Sequence, residues 1–368
     1  MSDKLRFLVF GAGAIGTYIG GSLALKGHKV TFIEQPQVVE ELLRRGLHLN
    51  LSVALRGAAS FTLPPIFNLG PSSFNCVSSL GDALSLGPFH AAIFALKSYD
   101  TEAAIQSFLP FRADLPPILC LQNGVENEAL LATALSEQGV IAGTVTSAIG
   151  RKAAGDIFLE RLRGVGVAAG HLLSKRLVAA LNDAGLNARL FPSAVEMKWS
   201  KLLTNLLANA TSAILDMTPA QIFAHRGLYR LEIEGLREAL RVMAAQSIKV
   251  VDLPGTPVRL LALGARLPFF LSKSLMQRNV GSGRGGKMPS FHIDLYSGWG
   301  KSEVDYLNGA VVRFGERLGV STPVNKLLCE TLLDLTEGKI KIEMYRNQPE
   351  RLLEELGVRK FGIRKPGI

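Results

Sequence analysis

The stretch KLRFLVFGAGAIGTYIGGSLALKGHKVTFIE, residues 4–34, joins two short apolar runs through a glycine turn and a helical segment. LRFLVF (5–10) and KVTFIE (29–34) predict strands, and residues 14–27 predict the helix between them. Strand, helix and strand within about 30 residues make a parallel βαβ unit. The turn itself is GAGAIG, with Gly11, Gly13 and Gly16. The first glycine permits a tight turn, the second lets the backbone approach a pyrophosphate, and the third lets helix and strand pack closely. Ala14 and Ile15 then open a helix whose unpaired N–H groups and positive dipole face an anion. The spacing alone is weak; between a strand and a helix it points to a dinucleotide site. Glu34 lies eighteen positions beyond Gly16, at the end of the second strand. A carboxylate there accepts from the ribose 2′-OH of NAD and repels a 2′-phosphate, although an ordinary exposed strand-end Glu is a serious competitor.

Outward from this unit the alternation continues. AAIFAL (91–96), PILCLQN (117–123) and VIAGTVTSAIG (140–150) predict strands, with helices over 37–46, 100–109 and 126–136. GDIFLE and GVGVAAG, within 155–170, predict an antiparallel addition, followed by a helix near 174–185 and a strand near 186–191. The expected fold is α/β, a Rossmann-type doubly wound sheet. After Phe191-Pro192 the pattern turns helical, over 196–215, 228–249, 302–319 and 324–337, interrupted by a Gly/Pro-rich stretch from Pro254 to Pro289. The expected organisation is a dinucleotide-binding domain over 1–192, an all-helical domain over 193–342 and a basic tail over 343–368.

Composition narrows the class. With 48% hydrophobic and 20% charged residues in 368, the chain is neither disordered nor collagen-like nor a coiled coil. Its apolar runs are cut by Lys, Arg, Asn or Pro before about 18 residues, which predicts no membrane span. MSDKLRFLVF leads straight into the glycine turn, so no signal peptide is expected and the location is read as cytoplasmic. Cys76, Cys120 and Cys329 match no metal or disulfide spacing, and the six histidines show no paired spacing, so no metal site is expected. The net charge of +10 calls for an anionic partner. No nucleic-acid motif accompanies it, and Arg359, Lys360, Arg364 and Lys365 place part of it in the last ten residues.

Two polar features stand out in the helical half. EMKWSKLLTNLLANATSAIL carries Lys201, Asn205 and Asn209. Steps of four advance about 400°, so on one helix the three stay within an arc of roughly 80°. The alternative, a solvated face, is weakened by the Leu, Ala and Trp around the stripe. Glu303 follows Ser302, an N-cap candidate, at the start of the helix over 302–319, where a glutamate could simply complement the dipole.

Taken together, GAGAIG, ALKSYDT, LQNGVENE, KWSKLLTNLLAN and KSEVDYLNGAVV…GVSTPVN resemble the ketopantoate reductase (2-dehydropantoate 2-reductase) family, from the first strand to about residue 337. The resemblance implies an N-terminal Rossmann-type domain, a helical C-terminal domain, an active site in the cleft between them, and a place in pantothenate biosynthesis. It implies reduction of a 2-oxo acid at C2 to the D-hydroxy acid with NADPH. Lys201 matches the catalytic lysine, Asn205 and Asn209 the substrate-contacting asparagines, and Glu303 the second catalytic residue, within Ser-Glu where Thr-Glu is more usual. Lys97 matches the cofactor-side lysine, Asn123 the asparagine of the nicotinamide side, and Ser290 the substrate-carboxylate serine, with Phe291 in place of the usual Met. The chain departs from the family in Glu34-Gln35-Pro36, where an Arg often grips the 2′-phosphate of NADP, in Lys287, where a polar substrate contact is expected, and in the atypical segments Pro254–Pro268 and Gly281–Gly286. Thus the family implies NADPH while Glu34 and Gln35 favour NADH, and Lys287 suits a carboxylate-bearing substrate. The partner expected is a small 2-oxo acid, not nucleic acid or membrane, with the oligomeric state left open, a homodimer included. Two rival readings are an NAD-dependent D-2-hydroxyacid dehydrogenase on the same scaffold and a non-catalytic dinucleotide sensor.

Overall fold

The computed structural model describes residues 4–53, 66–269, 272 and 287–361, with side chains to 357 at the C-terminal end. The Gly281–Gly286 segment, Arg364 and Lys365 lie outside the described residues, as do the side chains of Arg359 and Lys360. The chain divides into two compact units, 1–198 with 253–256, and 199–252 with 257–368.

The first unit is built on strands β1 (Arg6–Phe10), β2 (Lys29–Ile33), β3 (Leu47–Asn50), β4 (Ile66–Leu69), β5 (Asn75–Val77), β6 (Ala91–Phe94), β7 (Ile118–Cys120), β8 (Val140–Val145), β9 (Ala148–Ala153), β10 (Asp156–Arg161), β11 (Val165–Ala168) and β12 (Ala188–Phe191). Helices α1 (Ala14–Leu25), α2 (Pro36–Arg45), α3 (Leu80–Ser85), α4 (Thr101–Phe108), α5 (Asn127–Leu135) and α6 (Ser174–Asp183) connect them. The main sheet runs β12-β11-β8-β7-β6-β1-β2-β5. From β5 to β8 every pairing is parallel, and β11 joins β8 antiparallel, as its sequence position predicts. Both faces are buried, and β1 shows why its residues form a central strand. Phe7 and Val9 enter one apolar cluster while Leu8 and Phe10 enter the other. With a side-chain period of two, only an uninterrupted apolar run fills both layers.

The expected single strand over 140–150 is two. It turns after Val145, and β9 enters a separate sheet of order β4-β3-β10-β9. GDIFLE, as β10, pairs antiparallel with β9 and parallel with β3. This second sheet was not foreseen, because β3 and β4 are short and non-local pairing leaves no periodic signal.

In the chain order that follows lie α7 (Ala194–Leu206), α8 (Asn209–Leu215), α9 (Pro219–Ala224), α10 (Arg226–Ala245), α11 (Val258–Arg266), α12 (Ser290–Tyr296), a π-helical turn at Asp305–Gly309, α13 (Ala310–Leu318), α14 (Pro323–Thr336) and α15 (Pro349–Phe361). The division between the two units falls within α7, after Lys198. The span after Glu343, expected to be a tail, carries α15, which packs on α10 and α14. Leu352, at 0% exposure, anchors it.

The helix expected over 196–215 is broken. Ala208 adopts a left-handed φ of 54°, which a residue with a Cβ takes only when its surroundings impose it. Here the imposing group is Glu232 of α10, buried to 4% exposure. One of its carboxylate oxygens accepts from the Ala208 N–H at 2.6 Å and the other from the buried Thr211 hydroxyl. A second buried carboxylate of α10, Glu238, accepts from the N–H groups of Val324 (2.8 Å) and Asn325 (2.9 Å) at the start of α14. Each satisfies backbone donors that a helix start leaves without an intrahelical partner.

These carboxylates yield two predictions. Glu232→Ala leaves the Ala208 N–H and Thr211 hydroxyl buried without an acceptor, so urea unfolding should show a loss of at least about 2 kcal/mol. Glu232→Gln, which keeps an acceptor oxygen, should lose less. For Glu238, burial outweighs the hydrogen bonds from Asn325 and Val324 and raises its pKa from 4.5 to about 7. Between these values the unfolded state ionises while the folded state holds its proton, so this contribution to stability is present below about 4.5 and lost as pH rises through about 7. The stability advantage of the wild type over Glu238→Gln, measured by denaturant titration, should therefore shrink across that window; an advantage that grows would reverse the assignment.

Candidate functional site

In the first unit the strand order reverses between β1 and β6, and the crevice beyond their carboxyl ends is where open α/β sheets bind ligands. The glycine turn leaves β1 there. Gly11 has φ of +93°, and a Cβ on Gly16 would stand 1.8 Å from the Gly11 carbonyl oxygen, so neither position accepts another residue without the turn opening. Thr17 closes the first helical bond to the Gly13 carbonyl at 3.0 Å, which leaves the N–H groups of Ala14, Ile15 and Gly16 in the first turn of α1. Glu34 follows β2, and its carboxylate reaches back to accept from the Ala12 N–H inside the turn and from Gln35 N–H at 3.2 Å. Glu34 is thus at the glycine turn, the position its spacing predicts. The turn, the open first turn of α1 and this carboxylate together fit a dinucleotide.

Lys97 and Asn123 leave the neighbouring strands β6 and β7, and a polar network joins their loops. Gln122, at 4% exposure, donates through Nε2 to the carbonyls of Leu96 and Lys97, both at 3.1 Å, and to Thr101 Oγ1 at 2.9 Å. Ser98 Oγ donates to the Asn123 carbonyl at 3.1 Å, and Asn127 donates to both. The loops are therefore held by neighbours of Lys97 and Asn123 within the ALKSYDT and LQNGVENE stretches themselves.

One residue of this network was missed in the sequence. Lys198, three positions before Lys201, is 4% exposed. Its Nζ lies 2.7 Å from Glu128 Oε1 and donates to the carbonyl of Gln122 at 2.6 Å and of Gly143 at 3.3 Å. Burial opposes the charge, but the Glu128 carboxylate outweighs it and holds the lysine pKa above its usual value. Burial likewise raises the nearby Cys120 thiol, which stays protonated and inert. The signal in the sequence was its place as the first residue of KWSKLLTNLLAN, with Glu128 the last of LQNGVENE, but spacing along the chain does not pair the two.

In the second unit, Lys201 and Asn205 lie one turn apart on α7, both half-buried. Asn209 does not continue their stripe. The break at Ala208 makes it the first residue of α8, buried to 6%. There its Oδ1 accepts from the Phe291 N–H at 3.1 Å and its Nδ2 reaches Ser290 Oγ at 3.5 Å. Asn209 and Ser290 are thus brought together across 81 residues. Lys287 is exposed on the segment leading to Ser290.

Glu303 is 4% exposed and precedes the π turn rather than lying inside a regular helix. Ser302 Oγ accepts from the Val304 N–H at 3.2 Å, while Val304 itself takes the N-cap position of the π turn. The π turn is fixed from below by a buried chain: Asn308 donates to Asn325 Oδ1 at 3.0 Å, and Asn325 donates to Glu238 at 2.8 Å. Such turns recur at functional sites. Among the described residues, no group of three or more His, Cys, Asp or Glu could hold a metal ion, and no helix is long and apolar enough to cross a membrane.

Known proteins share this fold. The family model described as ketopantoate reductase PanE/ApbA matches residues 7–170, and that described as ketopantoate reductase PanE/ApbA C terminal matches 194–335. The 2-dehydropantoate 2-reductase of Archaeoglobus fulgidus is 26% identical over 337 residues, covering 90% of this chain and 97% of its own length. That of Pyrococcus horikoshii is 24% identical, over 88% and 95%. Among solved structures, a PanE/ApbA family ketopantoate reductase from Ralstonia eutropha superposes with a TM-score of 0.73 at 28% identity, covering 91% of this chain and 99% of that one. A D-mandelate dehydrogenase bound to NADH and anilino(oxo)acetate shares the fold, with a TM-score of 0.72 at 20% identity over 92% and 100%. With both halves matched in order, and a glycine turn and a Lys-Asn-Asn segment in the matched regions, the chain belongs to the ketopantoate reductase family of oxidoreductases.

Proposed function

We propose that the protein reduces a 2-oxo acid, ketopantoate or a close relative, to the D-2-hydroxy acid. The reading is carried by Lys201 on α7 with Asn209 against Ser290, in a chain of this family. When bound, the reduced nicotinamide of NADPH or NADH supplies the hydride. Gly11 makes the tight turn, Gly13, Ala14, Ile15 and Gly16 hold the dinucleotide through the backbone of the turn and the first N–H groups of α1, Glu34 meets its adenosine ribose, and Lys97 and Asn123 serve the nicotinamide side.

As the carbonyl carbon is reduced, negative charge develops on its oxygen. Lys201 Nζ donates a proton there and, before transfer, offsets the charge electrostatically. Glu303 serves as the second catalytic residue, its carboxylate complementing the ammonium charge. Asn205 and Asn209 orient the reacting group without changing charge. Ser290 and Lys287 hold the substrate carboxylate, fixing which carbon is reduced.

Lys201→Ala should lower kcat by roughly 100-fold or more, the scale of losing general acid catalysis, while dinucleotide affinity is unchanged. Steady-state assays on a panel of 2-oxo acids, ketopantoate included, check this; near-wild-type turnover in the variant removes Lys201 from the mechanism.

A second reading, an NAD-dependent D-2-hydroxyacid dehydrogenase, is favoured by one observation, the Glu34 carboxylate at the glycine turn. A 2′-phosphate beside it is repelled, and Gln35 offers no compensating charge. NADH should bind more tightly than NADPH, and Glu34→Arg should reverse the order. Fluorescence titration of both cofactors decides it: tighter NADPH binding by the wild type overturns the NADH preference.

A further inference from the structure

The second sheet of the first unit brings a cation to the glycine turn. Its β9–β10 hairpin turns at Ala154-Gly155 and is held there on several sides. The Gly155 N–H donates to the Ala12 carbonyl at 3.0 Å, and its carbonyl accepts from the His48 N–H at 2.8 Å. Arg45 donates to the Ala154 carbonyl. Gly155 has φ of +69°, and a Cβ there would stand 2.3 Å from Leu42, so the hairpin has no room to shift toward α2. Arg151 projects from β9 two residues before the strand ends. Among the described residues, a Cβ built on Gly13 would find one heavy atom within 4 Å beyond its chain neighbours, the Arg151 Nη1 at 3.9 Å.

Gly13 is the glycine whose missing side chain opens the approach for a pyrophosphate. The guanidinium therefore borders the space that Gly13 leaves open at the start of α1. Two positive features of independent origin converge on it: a helix N-terminus and a permanently charged side chain whose planar fork matches phosphate oxygens.

We propose that Arg151 is a pyrophosphate-binding residue, supplied by the second sheet to close the glycine turn over the dinucleotide. This rests on the dinucleotide reading above. Because the pyrophosphate is common to both cofactors, Arg151 strengthens binding of NADH and NADPH alike and does not choose between them.

The test is titration of the full chain and its Arg151→Gln and Arg151→Lys variants with NADH, NADPH and ADP-ribose, followed by ligand or tryptophan fluorescence, with thermal melts alongside. Arg151→Gln should weaken all three by a common factor on the order of 10-fold or more, the scale of a lost charged hydrogen bond. Arg151→Lys should recover part of the loss, the melts should stay at the wild-type temperature, and the cofactor KM should rise by the same factor as the dissociation constants. Unchanged affinities overturn the assignment, as does a loss confined to NADPH, which would place the guanidinium at the 2′-phosphate. A wild type that binds none of the three overturns the dinucleotide reading and this one together, whereas a binding wild type with an indifferent variant removes Arg151 alone.

Discussion

Two carboxylates buried on one helix govern the geometry of the second unit. Glu232 and Glu238 of α10 lie at 4% and 0% exposure; Glu232 receives the Ala208 N–H and the Thr211 hydroxyl, and Glu238 the N–H groups of Val324 and Asn325. A buried carboxylate is tolerable only where donors surround it, so each fixes the element that supplies them. Through Ala208 and Thr211, Glu232 holds the break that presents Asn209 to Ser290. Through Asn325 and Asn308, Glu238 holds the π turn that follows Glu303. Neither carboxylate is expected to touch substrate, yet the positions of two site residues depend on them.

The first unit uses the same device with amides and a lysine. Gln122 gathers the loops after β6 and β7, and Lys198 grips the Gln122 and Gly143 carbonyls while paired with Glu128. Loops that bear functional groups have few regular backbone bonds of their own. Buried side chains with several donors supply the missing constraint, and a fully satisfied polar network of this kind selects one arrangement over others.

The main sheet and the glycine turn were legible in residues 4–34, because period and spacing are local properties of a chain. Phe7, Leu8, Val9 and Phe10 announce a strand buried on both faces, and the distance from Gly16 to Glu34 places a carboxylate beside the turn. The stripe of Lys201, Asn205 and Asn209 was read as one face of one helix, and the helical propensity of LLTNLLANATSAIL gives no reason to think otherwise. The break at Ala208 comes from Glu232, twenty-four residues away. The basic charge near the C-terminus suggested a solvated tail, whereas α15 packs through Leu352 against helices far earlier in the chain.

By itself, then, the sequence determined the doubly wound sheet, the dinucleotide turn, the family and the residue types able to move a proton, since each rests on periodicity or on fixed spacing along the chain. Tertiary structure alone decided that 148–161 would join β3 and β4 in a second sheet reaching Gly13 with Arg151, that Lys198 would be buried against Glu128, and that Asn209 would leave the helix of Lys201 to meet Ser290. These depend on buried polar groups finding partners distant in sequence, and the partner of a desolvated charge is set by the packing around it rather than by its neighbours along the chain.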